Sequence, residues 1–201
     1  MSTSSGEPLP SFSELIKGLL GLPPDGEPLR VRGTPLGELL NGHAHELVHE
    51  AAKRVHEDGS PQLSAAHLLW AATKVDPSRN LFRRVSVDPD VVALEIDKVL
   101  PGPAKNGSPS VERGLSPEAA HVIGLAQERA QETGSALVAP EHILDALLTQ
   151  PSSDVVVMLD DGAVDVRRLR MFTERDEVRF GDAVDSPDAG SAGGQGGSDS
   201  R

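Results

Sequence analysis

Five groups of residues in this 201-residue chain have the types and spacing to do chemistry. His45-Glu46-Leu47-Val48-His49 spells H-E-x-x-H. On a helix, His45 and His49 would share one face, as a zinc peptidase needs, with Glu46 as general base. No third ligand follows at the usual spacing, and Leu47, Val48 and Ala51 already supply an apolar face, so the two histidines are expected to face solvent. His67 and His142 stand at matching positions and could form a paired ligand site. The plainer reading has each opening a helix and bonding to backbone or packing in the core. Trp70 is the only tryptophan; we read it as core packing ahead of a surface anchor for a partner. Glu141 stands in the first turn of a helix, where a carboxylate is favourable by about 0.3–1 kcal/mol on its own. Arg83-Arg84 and Arg167-Arg168 are basic pairs in an acidic chain, read as solvated helix faces rather than an anion site.

The elements that must position these residues come in two copies. Ala44, Ala51, Arg54, Gly59-Ser60, His67, Leu69 and Ala71 recur without a gap as Ala119, Ala126, Arg129, Gly134-Ser135, His142, Leu144 and Ala146. Leu47/Val122, Val48/Ile123, Leu63/Val138 and Leu68/Ile143 keep apolar character. Self-similarity of this kind means one helical unit used twice. It also tests the peptidase motif, since the sister positions of His45, Glu46 and His49 are Ala120, His121 and Gly124, so the scaffold does not need them.

Each unit reads as four helices. The first helix follows an N-cap, Asn41 or Ser116 with Pro117 behind it, and runs to about 58 or 133 before Gly59 or Gly134. The second covers about 64–74 and 140–149, ending before Pro77 and Pro151. A third covers about 78–85 and 153–160. A fourth begins near Asp88-Pro89 and near Val164-Asp165. No segment alternates with period two, so no sheet of consequence is expected. Ahead of the units, Ser11 and Glu14 make an S-x-x-E capping box. Phe12, Leu15, Ile16 and Leu19 then recur at helical spacing. This short helix either packs on the first unit or docks into a partner's groove. The expected organisation is thus all-α: residues 1–10 disordered, a helix and Pro/Gly-rich connector over 11–35, and a double repeat over 36–174. Within the repeat the copies are 40–100 and 114–174, with a linker over 101–113. A disordered tail fills 182–201, where apolar residues are too few to offset ordering.

Bulk composition narrows the function classes. A net charge of −12 disfavours nucleic acid, which calls for a basic face, and disfavours anionic membranes. There is no cysteine, hence no disulfide framework or thiolate site. No apolar run approaches the roughly 20 residues of a membrane span, and residues 1–10 lack signal-peptide character. A cytoplasmic, acidic protein with no cofactor is expected.

The second copy, Leu115-Ser116-Pro117-Glu118-Ala119 through Gln127-Glu128 and Ala139-Pro140-Glu141-His142-Ile143-Leu144, resembles the N-terminal domain of the Clp/Hsp100 unfoldases, especially the ClpC type. The first copy keeps Ser64-Ala65-Ala66-His67-Leu68-Leu69 and diverges more. The likeness covers about 40–173. It implies a domain that docks adaptors and substrates and, in ClpC-type proteins, recognises phosphorylated arginine through a Thr-Glu pair. Here Pro140-Glu141 keeps only the glutamate, and Ala65-Ala66 keeps neither residue, so two equivalent phosphoarginine pockets are not expected. No G-x-x-x-x-G-K-[ST] motif occurs in the sequence. The expectation is a stand-alone, non-enzymatic interaction protein that binds Clp unfoldases, adaptors or clients as regulator or decoy. The alternatives are the zinc peptidase and a module for an unrelated partner. Expected contact residues are Glu141, Pro140, Ala65, Ala66, Trp70, Phe12, Leu15, Ile16 and Leu19.

Overall fold

The computed structural model describes residues 11–149 apart from 21, 24 and 102–113. Among the described residues the chain is mostly helical. Helix α1 is Phe12–Leu20. Its capping box forms as expected: the Ser11 amide donates to Glu14 Oε2 at 2.7 Å, and the Glu14 amide donates to Ser11 Oγ at 3.3 Å. An antiparallel ribbon follows, β1 Arg30–Val31 with β2 Thr34–Pro35, and then a short helix α2, Leu36–Leu39. Arg32 (φ 50°) and Gly33 (φ 85°) make the tight turn, where positive φ at both positions matches the twist of the paired strands. The 21–35 stretch is therefore more than a connector. Strands of two residues each cannot display an alternation, which is why the sequence pattern missed them.

The first copy holds α3 Gly42–Asp58, α4 Ala65–Ala72, α5 Ser78–Arg84 and α6 Pro89–Asp97. The second holds α7 Pro117–Glu132 and α8 Pro140–Thr149. The helices expected over 153–160 and from 164 lie outside the described residues, as do Arg167, Arg168, residues 1–10 and the 182–201 tail. Both expected N-caps are in place. Asn41 Oδ1 accepts from the Ala44 amide at 2.9 Å, and Ser116 Oγ accepts from the Ala119 amide at 3.0 Å. Gly59 and Gly134 take φ 70° and 75°, the left-handed conformation that ends a helix without a Cβ penalty.

With few aromatics available, the core is aliphatic. Leu47, Val48, Ala51 and Ala52 of α3 meet Leu68, Leu69 and Ala72 of α4; Val122, Ile123 and Ala126 of α7 meet Ile143, Leu144 and Leu147 of α8. The copies are joined by two backbone crossings related by the internal repeat. Asn41 N donates to Val138 O (2.9 Å) and Val138 N to Leu39 O (2.8 Å). In the sister crossing Ser116 N donates to Leu63 O (2.9 Å) and Leu63 N to Gly114 O (2.8 Å). In each, the residues before one copy's first helix bond the residues before the other copy's second helix. Both otherwise unpaired loop backbones are thereby satisfied inside the molecule.

The segment ahead of the repeat straddles both copies. Ile16 and Leu20 of α1 are fully buried and pack on α3. At the far side of the ribbon, Arg32 donates to Glu128 of α7, and its guanidinium lies over Gly124, where a Cβ would meet Arg32 Nε at 2.8 Å.

Candidate binding site at the seam between the copies

The second crossing brings the start of α4, the end of α6 and the start of α7 together around a cleft of about 340 Å³. Ser60, Pro61, Gln62 and Ser64 form one wall with Ala66 and His67; Val99, Leu100 and Pro101 form the second; Ser116 and Glu118 form the third. Among the described residues no lysine or arginine lines it.

His67 fixes the α4 wall. Its Nδ1 accepts the Ser64 amide at 3.1 Å and lies 2.7 Å from Ser64 Oγ. With Nδ1 accepting, the ring proton sits on Nε2, which donates to Asp58 Oδ2 at 3.1 Å. Histidine and aspartate are both buried. Burial is the largest influence on the Asp58 carboxyl and would raise its pKa, but the hydrogen bonds from His67 and Ser60 together outweigh it and leave the pKa lowered. The repeat carries the same device into the second copy. His142 Nδ1 accepts the Ala139 amide at 3.0 Å, and its Nε2 lies 3.3 Å from Thr133 Oγ1. Thr133 occupies the place of Asp58, so no carboxylate offsets burial there, and desolvation lowers the His142 pKa.

A second repeated residue meets different partners in the two copies. Arg54 lies over the Trp70 ring, 5.1 Å from its centroid, and pairs through Nη1 with Asp97 (3.0 Å) and through Nε with Asp58 (3.6 Å). Lys74 covers the ring at 5.4 Å. Its sister Arg129 pairs through Nε with Asp145 at 3.1 Å, the residue standing where Trp70 stands in the first copy. Trp70 is half-buried, and its Nε1 is buried without a hydrogen-bond partner.

The remaining expected residues are dispersed. Ala65 is fully buried, while Ala66 faces the cleft. Pro140 is buried; Glu141 lines a separate cavity of about 90 Å³ with Pro77, Asn80, Leu81 and Arg84, where α8 meets α5. On α1, Ile16 is in the core, Phe12 and Leu19 are half-buried against it, and Leu15 is exposed. His45 and His49 are half-buried rather than solvent-facing, and α1 packs on α3 beside His45. The Phe12 ring stacks on His45 at 3.9 Å, and His45 Nε2 lies 3.0 Å from the Gly37 carbonyl oxygen. Glu46 is exposed, with His43 at 3.9 Å. Among the described residues no three His, Cys, Asp or Glu side chains converge as a metal site would require, and no helix is long and apolar enough to cross a membrane. Val99 is legible in the sequence only as part of the apolar stripe Val91, Leu94 and Val99 of the fourth helix, and neither it, Leu100, Pro101 nor Glu118 is expected there as a contact residue. They reach the cleft only because the copies cross, and no local motif marks that.

Comparison with known proteins gives this arrangement its context. Residues 39–184 match the family model of the Clp repeat (R) N-terminal domain. The chaperone protein ClpB of Bacteroides thetaiotaomicron is 32% identical over 148 residues, covering 71% of this chain and 16% of ClpB. This chain thus corresponds to a small part of that relative's length. Among solved structures, the Hsp104 N-terminal domain of Candida albicans is similar with a TM-score of 0.61 at 21% identity, over 72% of this chain and 93% of that one. The N-terminal domain of the caseinolytic protease associated chaperone ClpD of Arabidopsis thaliana gives 0.57 at 17% identity, over 72% and 97%. A likeness to the ClpC type rests on the short sequence motifs alone. Segment 11–38, which straddles both copies, lies ahead of the matched region. With the family model spanning most of the sequence, and the doubled helical unit and its paired histidines in place, the chain belongs to the Clp N-terminal repeat domain family.

Proposed function

We propose that this chain is a non-enzymatic interaction module of the Clp system, one that holds unfoldase subunits, adaptors or client proteins at the seam between its two copies and acts as regulator or decoy. The observation that carries this reading is the 340 Å³ cleft. It lies where both copies contribute walls, and the His67–Asp58 pair braces one of them. Clefts of this size accept a side chain or a short peptide segment. The family relation supports a role in protein handling, and the dispersal of His45, Glu46 and His49 into packing and solvent supports a non-enzymatic reading.

Phosphoarginine binding at two equivalent pockets has little to rest on: Ala65 is buried, and Glu141 shares its small cavity with Arg84. The test is affinity capture with mass spectrometry, using the full chain and Glu141→Ala in parallel. Enrichment of a Clp unfoldase, adaptor or client by both baits is expected. Recovery of none of these would overturn the proposal, and loss of them with Glu141→Ala alone would move the site to the α8 cavity.

A further inference from the structure

We propose that the seam cleft and the adjoining face of α6 form one docking track for a partner segment that combines bulky apolar side chains with an unmodified lysine or arginine. This rests on the reading of the chain as an interaction module and adds the chemistry of what it binds. Three large apolar side chains lie exposed along the end of the first copy: Val91 (47%), Leu94 (62%) and Val99 (54%). Val99 also lines the cleft and so links it to the end of the first copy. Clustered exposed apolar side chains leading into a cleft mark an interaction surface more than scattered ones do.

Charge selects the occupant. Among the described residues Glu118 is the only carboxylate lining the cleft, and it makes no ion pair or hydrogen bond with any of them. Among the described residues, the cations Arg54 and Lys98 are already engaged, Arg54 with Asp97 at 3.0 Å and Lys98 with Glu95 at 2.6 Å. His67 offers the cleft no donor, because Nε2 bonds Asp58 and Nδ1 accepts from Ser64. The amino-terminal turns of α4 and α7 also face this space and carry partial positive charge, about half a unit each at most. On α7 the Ser116 cap already engages the Ala119 amide. A whole carboxylate charge against such partial charges favours a cation, and the net charge of −12 steers basic segments toward the molecule.

Fluorescence anisotropy on the full chain tests this with three labelled peptides in one Gly/Ser background. Each carries two leucines, joined in turn with two arginines, two serines or two phosphoserines. The arginine peptide is expected to bind at least severalfold tighter than either other peptide, with an advantage that shrinks as salt rises. Glu118→Gln should weaken it by roughly two- to fivefold, the range of a partly exposed ion pair, and leave the serine peptide unchanged. Leu94→Asp and Val99→Asp should weaken all three; both sites are exposed, so circular dichroism should report an intact fold. Equal binding of serine and arginine peptides would overturn the cation preference while leaving an apolar docking surface. Tighter binding of the phosphoserine peptide would reverse the charge assignment. Failure of every peptide to bind would overturn the docking track itself.

Discussion

His67 bonds at both nitrogens and is almost wholly buried, so its removal does more than delete a contact. His67→Ala should take one hydrogen bond from the Asp58 carboxylate, which keeps the Ser60 amide and Arg54, and leave the Ser64 amide without its acceptor. Removing one partner of a buried hydrogen-bonded group costs its desolvation, and we expect a loss of about 1–3 kcal/mol by urea denaturation. The sister histidine predicts an acid sensitivity. Burial lowers the His142 pKa below its ordinary 6.5. As pH falls below that value the unfolded chain takes up a proton that the native chain refuses, so stability falls on acidification. Asp58, also lowered, adds a loss of the same sign at still lower pH, through the carboxylate range. His142→Asn, which keeps an acceptor for the Ala139 amide, should flatten the decline in denaturation midpoint between about pH 7 and pH 5. An unchanged slope would refute the assignment. The histidines' place at helix starts was legible in the sequence because their partners Ser64 and Ala139 are three residues away. Their reach back to Asp58 and Thr133 spans a turn of unknown path and was not.

At the scale of elements, α1 is the test of whether the segment ahead of the family match belongs to the fold. Ile16 is 1% exposed and Leu20 is fully buried, so the apolar face that could have docked elsewhere is spent on α3. Ile16→Ala should cost about 2–5 kcal/mol, as deletion of buried methyl groups does. Leu15→Ala, at an exposed position, should cost far less. If both variants kept wild-type stability in thermal melts, α1 would have to be a detachable arm. Deleting residues 1–22 is for the same reason a poor probe of partner binding, since it would open the core. Helix ends were read well from sequence: Asn41, Ser116, Gly59 and Gly134 act within one turn of where they stand. The ribbon, α2 and the Arg32–Glu128 link could not be read so, because each depends on residues far apart in the chain or on elements too short to show a period.

Among the described residues the molecule is a repeated scaffold whose two copies carry different side chains at matching positions. The backbone crossings at Asn41–Val138 and Leu63–Ser116 repeat, as do the capping histidines. Arg54 meets Trp70 where Arg129 meets Asp145, and Asp58 stands where Thr133 stands. Such divergence at fixed backbone positions is what a fold kept for stability and altered for binding would display. The sequence revealed the doubling because identities fall on packing and capping positions. It concealed the cleft because Ser64, Val99 and Glu118 come from three segments that meet only at the seam. The most direct measurement is quantitative affinity capture of Clp components by the wild-type chain against the Leu94→Asp/Val99→Asp double variant, with folding verified by circular dichroism. Docking at this face requires that a Clp unfoldase, adaptor or client be enriched on the wild type and reduced severalfold or more on the variant. Equal recovery on the two baits would contradict it.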